Sequence, residues 1–301
     1  MSLLIIGSIA FDTIETPVDK VEDTLGGSAT YICLAAGYFS KQNYLVGVVG
    51  DDFNNEHITM LEKHNTDLQG LQIVKGGKTF RWGGRYHENF NDRDTLFTEL
   101  NVFETFNPII PDNLRKTEFV LLGNIDPPLQ MNVLNQIEKP KFIFCDTMNL
   151  WIDIRKNELL EVIKKIDMLV INDSESKMIS NEKNIFKAAE YIQKIGPKYL
   201  IIKKGEHGAL FFHSNKIFTI PAYPLKKIAD PTGAGDSFLG GLAGYIAKTD
   251  DISFENIKKG IVYGTCLASF CVEHFSTKGL ENLSMEEINN RYYEMKELTE
   301  F

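Results

Sequence analysis

Residues 230–238, Asp-Pro-Thr-Gly-Ala-Gly-Asp-Ser-Phe, set a glycine-rich turn and a carboxylate side by side, directly ahead of an apolar run from Leu239 to Ala247. A turn of this kind opening a helix leaves backbone N–H groups unpaired at the positive end of the helix dipole, where a phosphate can sit. Asp236 follows those donors immediately, so an anion site and a base arrive together. Gly and Asp before a helix also serve simply as a turn and N-cap. Two glycines around a small residue, an acid after them and a long small-residue helix behind favour the anion site. Two better-known patterns are excluded: the sixth position from Gly233 is Phe238 where a dinucleotide fingerprint needs glycine, and no phosphate loop ending in Gly-Lys-Ser/Thr occurs.

Phosphoryl transfer suits such residues. Its loose transition state carries charge on the phosphoryl oxygens, so positioning and directed donors supply most of the acceleration. One backbone donor of this kind is worth about 3–4 kcal/mol in acyl-transfer enzymes. A carboxylate with a pKa of about 4 is a weak base for an alcohol, so Asp236 would orient the hydroxyl and accept its proton late.

On these residues the chain resembles the PfkB, or ribokinase, family of sugar and nucleoside kinases, whose C-terminal signature 230–238 match without a gap. The resemblance implies Asp236 as the base, with Gly233, Ala234 and Gly235 offering N–H groups to the migrating phosphoryl group and Thr232 beside the nucleotide. It implies ATP and Mg²⁺ as cofactors. Asn172, Asp173, Ser174 and Glu175 match the family's Asn-x-x-Glu element, with Glu175 placed to hold Mg²⁺ through water; a hard cation that keeps most of its hydration suits that arrangement. The same four residues also make a respectable helix cap. Lys203, Gly205 and Gly208 resemble the turn at the nucleotide edge, although a hairpin turn with solvated lysines explains them too. Ser276 to Gly279 resembles the loop that closes over the base and, with Asp230, encloses K⁺ in many relatives.

For the acceptor, the resemblance points to Asp12 as a reader of sugar hydroxyls, to Gly26 and Gly27 as the double glycine that lets the sugar approach, and to Asn124 as a substrate contact. Turn and helix lead-in roles compete for Asp12 and the glycines. Ribokinases carry asparagine where this chain has Ala10 and Tyr31, so the set that reads ribose is incomplete. The expected acceptor is therefore a small sugar or polyol, with a nucleoside as the second reading and a non-catalytic nucleotide or sugar sensor as the third. Asp146, Thr147, Met148 and Asn149, with Trp151, resemble the family's Asp-x-Asn segment, as phosphate neighbours or as a turn.

The elements that must position these residues alternate. Strands are expected at Leu3–Ile9, Tyr44–Val49, Phe119–Leu122, Lys141–Cys145, Met168–Ile171 and Tyr199–Ile202. Helices are expected at Ser28–Ser40, Asn54–His64, Leu129–Glu138, Lys156–Ile166 and Ile185–Lys194, then near 235–247, 254–273 and 284–297, with a hairpin around Ser214 and Asn215. This rhythm favours a mostly parallel sheet covered on both faces, with ligands beyond the carboxyl ends of its strands. The resemblance specifies a ribokinase-like three-layer α/β/α sandwich, one kinase domain over residues 1–301. Residues 11–25 and 78–101 are β-prone and aromatic and break the rhythm. In the family such insertions form a β lid over the acceptor site and sometimes a dimer contact, so a monomer or a homodimer through the lid is expected; an edge hairpin is the plainer account.

Composition sets limits. The chain has 301 residues, 43% of them hydrophobic, which is enough for a substantial core, and a net charge of -9. That charge, with no Lys/Arg cluster, argues against a nucleic-acid partner. No apolar stretch approaches membrane-spanning length and no leader pattern is seen, so a cytoplasmic location is expected. Cys33, Cys145, Cys266 and Cys271 lie in apolar segments without ligand spacing and read as reduced core residues.

Overall fold

A computed structural model describes residues 1–300; residue 301, the end of the expected domain, lies outside the described residues. The first half of the chain forms β1 (Ser2–Ile6), β2 (Ala10–Glu15), β3 (Lys20–Gly26), α1 (Ser28–Gly37), β4 (Gln42–Gly50), α2 (Asn55–Lys63), β5 (Thr66–Val74), β6 (Phe80–Tyr86) and β7 (Arg93–Glu99). The middle forms β8 (Phe119–Leu122), α3 (Pro127–Gln136), β9 (Phe142–Cys145), α4 (Asn149–Ile154), α5 (Lys156–Ile163), β10 (Met168–Asn172), α6 (Asp173–Ser180) and α7 (Ile185–Ile195). The last part forms β11 (Tyr199–Lys203), β12 (Ala209–His213), β13 (Lys216–Ile220), α8 (Ala234–Thr249), α9 (Phe254–Val272) and α10 (Met285–Thr299).

Nine strands build one sheet in the order β13-β12-β11-β10-β9-β8-β1-β4-β5, parallel except for the β11-β12-β13 meander. Side chains alternate across its central strands. Leu3 and Ile5 of β1 and Phe119 and Leu121 of β8 join a core shared with α1, α8, α9 and α10. Leu4, Ile6, Val120 and Leu122 join a second core with α3 to α7. A continuous apolar run is what a strand buried on both faces requires, and the two cores make the sandwich three-layered. A separate four-stranded sheet, β3-β2-β6-β7, stands off it as a lid.

Helices α1 and α8 meet backbone to backbone. A Cβ at Gly240 would lie 2.5 Å from the Ile32 carbonyl oxygen and one at Gly244 2.7 Å from that of Ala36. No larger residue fits between them.

Three expectations shift. β1 ends at Ile6 rather than Ile9 because the chain leaves the sheet to meet α1: Ser28 N–H donates to Ser8 Oγ at 3.1 Å and Ala29 N–H to Ser8 O at 2.9 Å. α5 stops at Ile163. β5 is an added parallel edge strand whose mostly polar, half-exposed sequence gives no strand signal. All four cysteines are buried and free. Among the described residues, no helix is long and apolar enough to cross a membrane.

Candidate active site

The glycine-rich turn does open a helix. Gly233 is the N-cap of α8 with φ +76°, a left-handed conformation that favours glycine, and a Cβ there would stand 2.4 Å from the ring of Tyr31. Tyr31, fully buried on α1, is thus the floor under the loop. Asp230 shapes the approach: one oxygen accepts Thr232 N–H at 2.8 Å and the other Ser276 N–H at 3.2 Å, tying the loop to the Ser276–Gly279 turn. The amides divide differently from the expectation. Ala234 N–H donates to Pro231 O at 3.2 Å and so is already engaged, because the loop closes a tight turn just before the helix. Among the described residues, the N–H groups of Gly233, Gly235 and Asp236 donate to no protein acceptor.

Asp236, in the first turn of α8, is only partly exposed, and its Oδ1 is occluded without a hydrogen-bond partner. Burial, then the charge of Asp146, pushes its pKa up to about 7, while Lys203 and Arg93 act in the opposite sense. Asp146 at the end of β9, Glu175 on α6 and Lys203 at the end of β11 converge on it because their strands run parallel and end together. Lys203 Nζ lies 3.9 Å from Asp146 Oδ1, an atom that also lacks a hydrogen bond. Burial raises Glu175 to about 7, with Asp146 adding to it. Burial opposes the Lys203 charge, yet Asp146, Glu175 and Asp236 hold its pKa above the ordinary value. Asn172 and Glu175 form a complete capping box, Glu175 N–H to Asn172 Oδ1 at 2.8 Å and Asn172 N–H to Glu175 Oε2 at 2.7 Å, so the helix-cap account of these residues holds.

Asp12 lies across the cleft on β2, buried, with a carboxylate oxygen where a Gly26 Cβ would be, 1.9 Å away. Burial first, then Asp230 and Asp236, raise its pKa to about 8, against the Gly27 amide and Arg93, which lower it. Asn124 stands apart: its Oδ1 accepts Trp151 Nε1–H at 2.8 Å and its Nδ2 reaches Met148 Sδ at 3.1 Å, so both ends of the expected substrate contact are engaged within the protein. Gly208 closes the turn after β11 by donating to Gly205 O at 3.1 Å.

The lid crosses the cleft mouth. Thr232 Oγ1 donates to the Tyr86 hydroxyl of β6 at 3.1 Å, and a Cβ at Gly205 would lie 2.9 Å from Asn91 Oδ1 in the turn before β7. The small sheet therefore touches both the glycine-rich 230–235 loop and the turn expected at the nucleotide edge. Tyr86, Asn91 and Arg93 carry no motif, and the alternation of aromatics in Trp82 to Tyr86 was the one available signal. His207 is a surface side chain.

A profile of the pfkB family carbohydrate kinases matches residues 2–283. A cytidine kinase of Thermococcus kodakarensis is 30% identical over 252 residues, 81% of this chain and 88% of its own length. The crystal structure of the Methanocaldococcus jannaschii nucleoside kinase, 22% identical, superposes with a TM-score of 0.78 over 97% of this chain and 98% of its own. A candidate ribokinase II of E. coli, solved with ATP and Mg²⁺, is 17% identical and gives 0.78 over 97% and 99%. The chain belongs to the PfkB family of carbohydrate kinases and is a phosphotransferase on a ribokinase-like fold.

Proposed function

We propose that the chain moves the γ-phosphoryl group of ATP onto a hydroxyl of a nucleoside. The observation that carries the reading is the alignment of Asp12 on β2 with Trp82 on β6, which sets a carboxylate that can read a sugar diol beside an indole that can meet a base. The likeness to a cytidine kinase supports it and moves the nucleoside ahead of the sugar or polyol first expected.

Asp236 faces the acceptor hydroxyl. The acceptor oxygen forms a bond to phosphorus as the bond to the β–γ bridging oxygen breaks. The leaving ADP keeps that electron pair and Asp236 takes the hydroxyl proton. The free Gly233 and Gly235 amides and Lys203 are available to phosphoryl oxygens. The donor set fits Mg²⁺: Asp146 Oδ1 has no hydrogen-bond partner, Glu175 stands beside it, and Mg²⁺ is usually held by one or two carboxylates plus water and phosphate. When bound, Mg²⁺ would neutralise phosphate charge.

The test is ADP release with Mg·ATP across a panel of nucleosides, hexoses, pentoses and polyols. A nucleoside giving the highest kcat/KM is expected. A hexose or polyol outcompeting every nucleoside refutes the acceptor, and ADP release from none refutes the transfer reading.

A further inference from the structure

A buried glutamine needs partners, and Gln130 is the only glutamine of this chain with no exposed surface. It lies in the first turn of α3. Its Nε2 donates to the carbonyl oxygen of Gly123 at 2.9 Å and to that of Asp146 at 3.1 Å. Both neighbours only accept, so the amide fits one way round. Those two carbonyls are the first beyond the strand ladder. β9 is paired with β8 and with β10 only as far as Cys145, after which the chains of β8 and β9 part toward α3 and α4. The Asp146 N–H still reaches Leu122 O at 2.9 Å, and the Gly123 N–H reaches Ile6 O at 2.7 Å. Gln130 stands where the next rung of the ladder would have met their carbonyls. The Cys145 thiol, 3.3 Å from Asp146 O, adds a weak donor beside it.

Asp146 carries the side chain on which the donor half of the site converges. Its charge is felt by Asp236, Glu175 and Lys203. Its Oδ1 is buried and bonded to nothing, while the Lys203 ammonium stands 3.9 Å away. Opposite charges so close and so enclosed draw together, and a closed pair of this kind measures about 2.7–2.9 Å. The carboxylate therefore needs to travel only about 1 Å to be captured by the lysine. Bonds on both sides of the Asp146 main chain, to Leu122 and to Gln130, resist that travel. An oxygen held off its nearest cation stays open to a metal.

We propose that Gln130 is a positioning residue: by bridging the carbonyls that follow β8 and β9, it keeps the Asp146 carboxylate open to Mg²⁺ instead of collapsed onto Lys203. Wholly buried, it acts through Asp146 alone. The inference rests on the Mg²⁺ site of the function proposed above. Partners that orient metal-binding side chains are typically worth about 10- to 100-fold in metal affinity.

The experiment measures Mn²⁺, a paramagnetic substitute for Mg²⁺, bound to the protein with ADP, by loss of the free ion's electron paramagnetic resonance signal. Wild type is compared with Gln130→Met, which keeps the length and removes both donors. Val133→Ala is the control, since it loosens the same buried face of α3 one turn on. Gln130→Met is expected to bind Mn²⁺ about 10- to 100-fold more weakly, with affinity for metal-free ADP within about twofold, and Val133→Ala to bind Mn²⁺ as wild type does. In ADP-release kinetics the free Mg²⁺ giving half-maximal rate is expected to rise by the same factor, while KM for the nucleoside, met by Asp12 across the cleft, stays within about twofold. A loss of Mn²⁺ affinity under about tenfold, or an equal loss in Val133→Ala, overturns the proposal. Should Gln130→Met not fold, Gln130→Asn, whose amide is one methylene too short to span both carbonyls, is judged by the same limits. Wild type that binds Mn²⁺ but turns over no acceptor refutes the transfer reading, and the Mn²⁺ comparison still judges Gln130. Wild type whose ADP complex binds no Mn²⁺ overturns this proposal.

Discussion

Replacing Asp236 by asparagine is expected to stop the enzyme and stabilise it in the same stroke. The carboxyl is raised from 3.8 to about 7, burial being the main cause and the Asp146 charge the next. Folding therefore makes this acid hold its proton more tightly than the unfolded chain does. The sign follows: the group contributes no penalty below about pH 4, a growing one as pH rises toward 7, and a full one above that. At about 1.4 kcal/mol per pH unit the ceiling is about 4 kcal/mol. Asp146, Glu175 and Lys203 share the titration, and the side chain is not sealed from solvent, so about 1–2 kcal/mol is the expected net gain on neutralisation. For 301 residues that corresponds to a rise in Tm of about 2–4 °C at pH 8 and none at pH 4. Turnover is expected to fall at least about 100-fold, the lower end of general-base effects. In wild type, kcat/KM is expected to rise with pH through about 7 as the carboxyl group ionises. Differential scanning calorimetry at the two pH values, beside ADP-release kinetics, makes the comparison. An asparagine variant that is less stable at pH 8, or one that keeps more than about a tenth of wild-type turnover, refutes the reasoning.

Two further substitutions probe the loop and the lid. Gly233→Ala places a methyl 2.4 Å from the Tyr31 ring at φ +76°, so urea denaturation is expected to show a loss of at least about 2 kcal/mol, beyond the backbone term alone; a loss under about 1 kcal/mol contradicts the packing described. Tyr86→Phe removes the hydrogen bond to Thr232, worth about 0.5–1.5 kcal/mol, and is expected to lower kcat/KM by about 2- to 12-fold with Tm nearly unchanged; a fall in Tm with kinetics intact assigns the contact to stability alone.

The parts of the site that the sequence made legible are those whose geometry is local. Gly233, Gly235 and Asp236 fall within four consecutive residues, and a helix start dictates where their donors point. Asn172 and Glu175 are spaced for a capping box and form one. The engagement of the Ala234 amide is not legible, because a tight turn back to Pro231 is indistinguishable in sequence from an open loop. The group of Asp146, Glu175, Lys203 and Asp236 is invisible along the chain, since it exists only where β9, β10 and β11 end side by side. Arg93 and Tyr86 lie beyond any motif, because their meaning depends on how a hairpin folds back over a loop some 140 residues away. β5 carries no strand signal because an edge strand with one open face needs little hydrophobic pattern.

The glycine contact of α8 with α1 bears on how the enzyme moves. α1 leads directly out of the double glycine behind Asp12, and α8 begins at the loop that carries Asp236. With Gly240 and Gly244 seated against the carbonyls of Ile32 and Ala36, no compressible layer separates the two helices. The start of α1 and the loop that carries Asp236 are thereby held at a fixed spacing like the jaws of a caliper, and relative motion is left to the small sheet, which carries Asp12 on β2. On the proposed function, substrate entry and product escape fall to the small sheet, so mutations in its strands are expected to change turnover rhythm while those along the α1–α8 seam change stability.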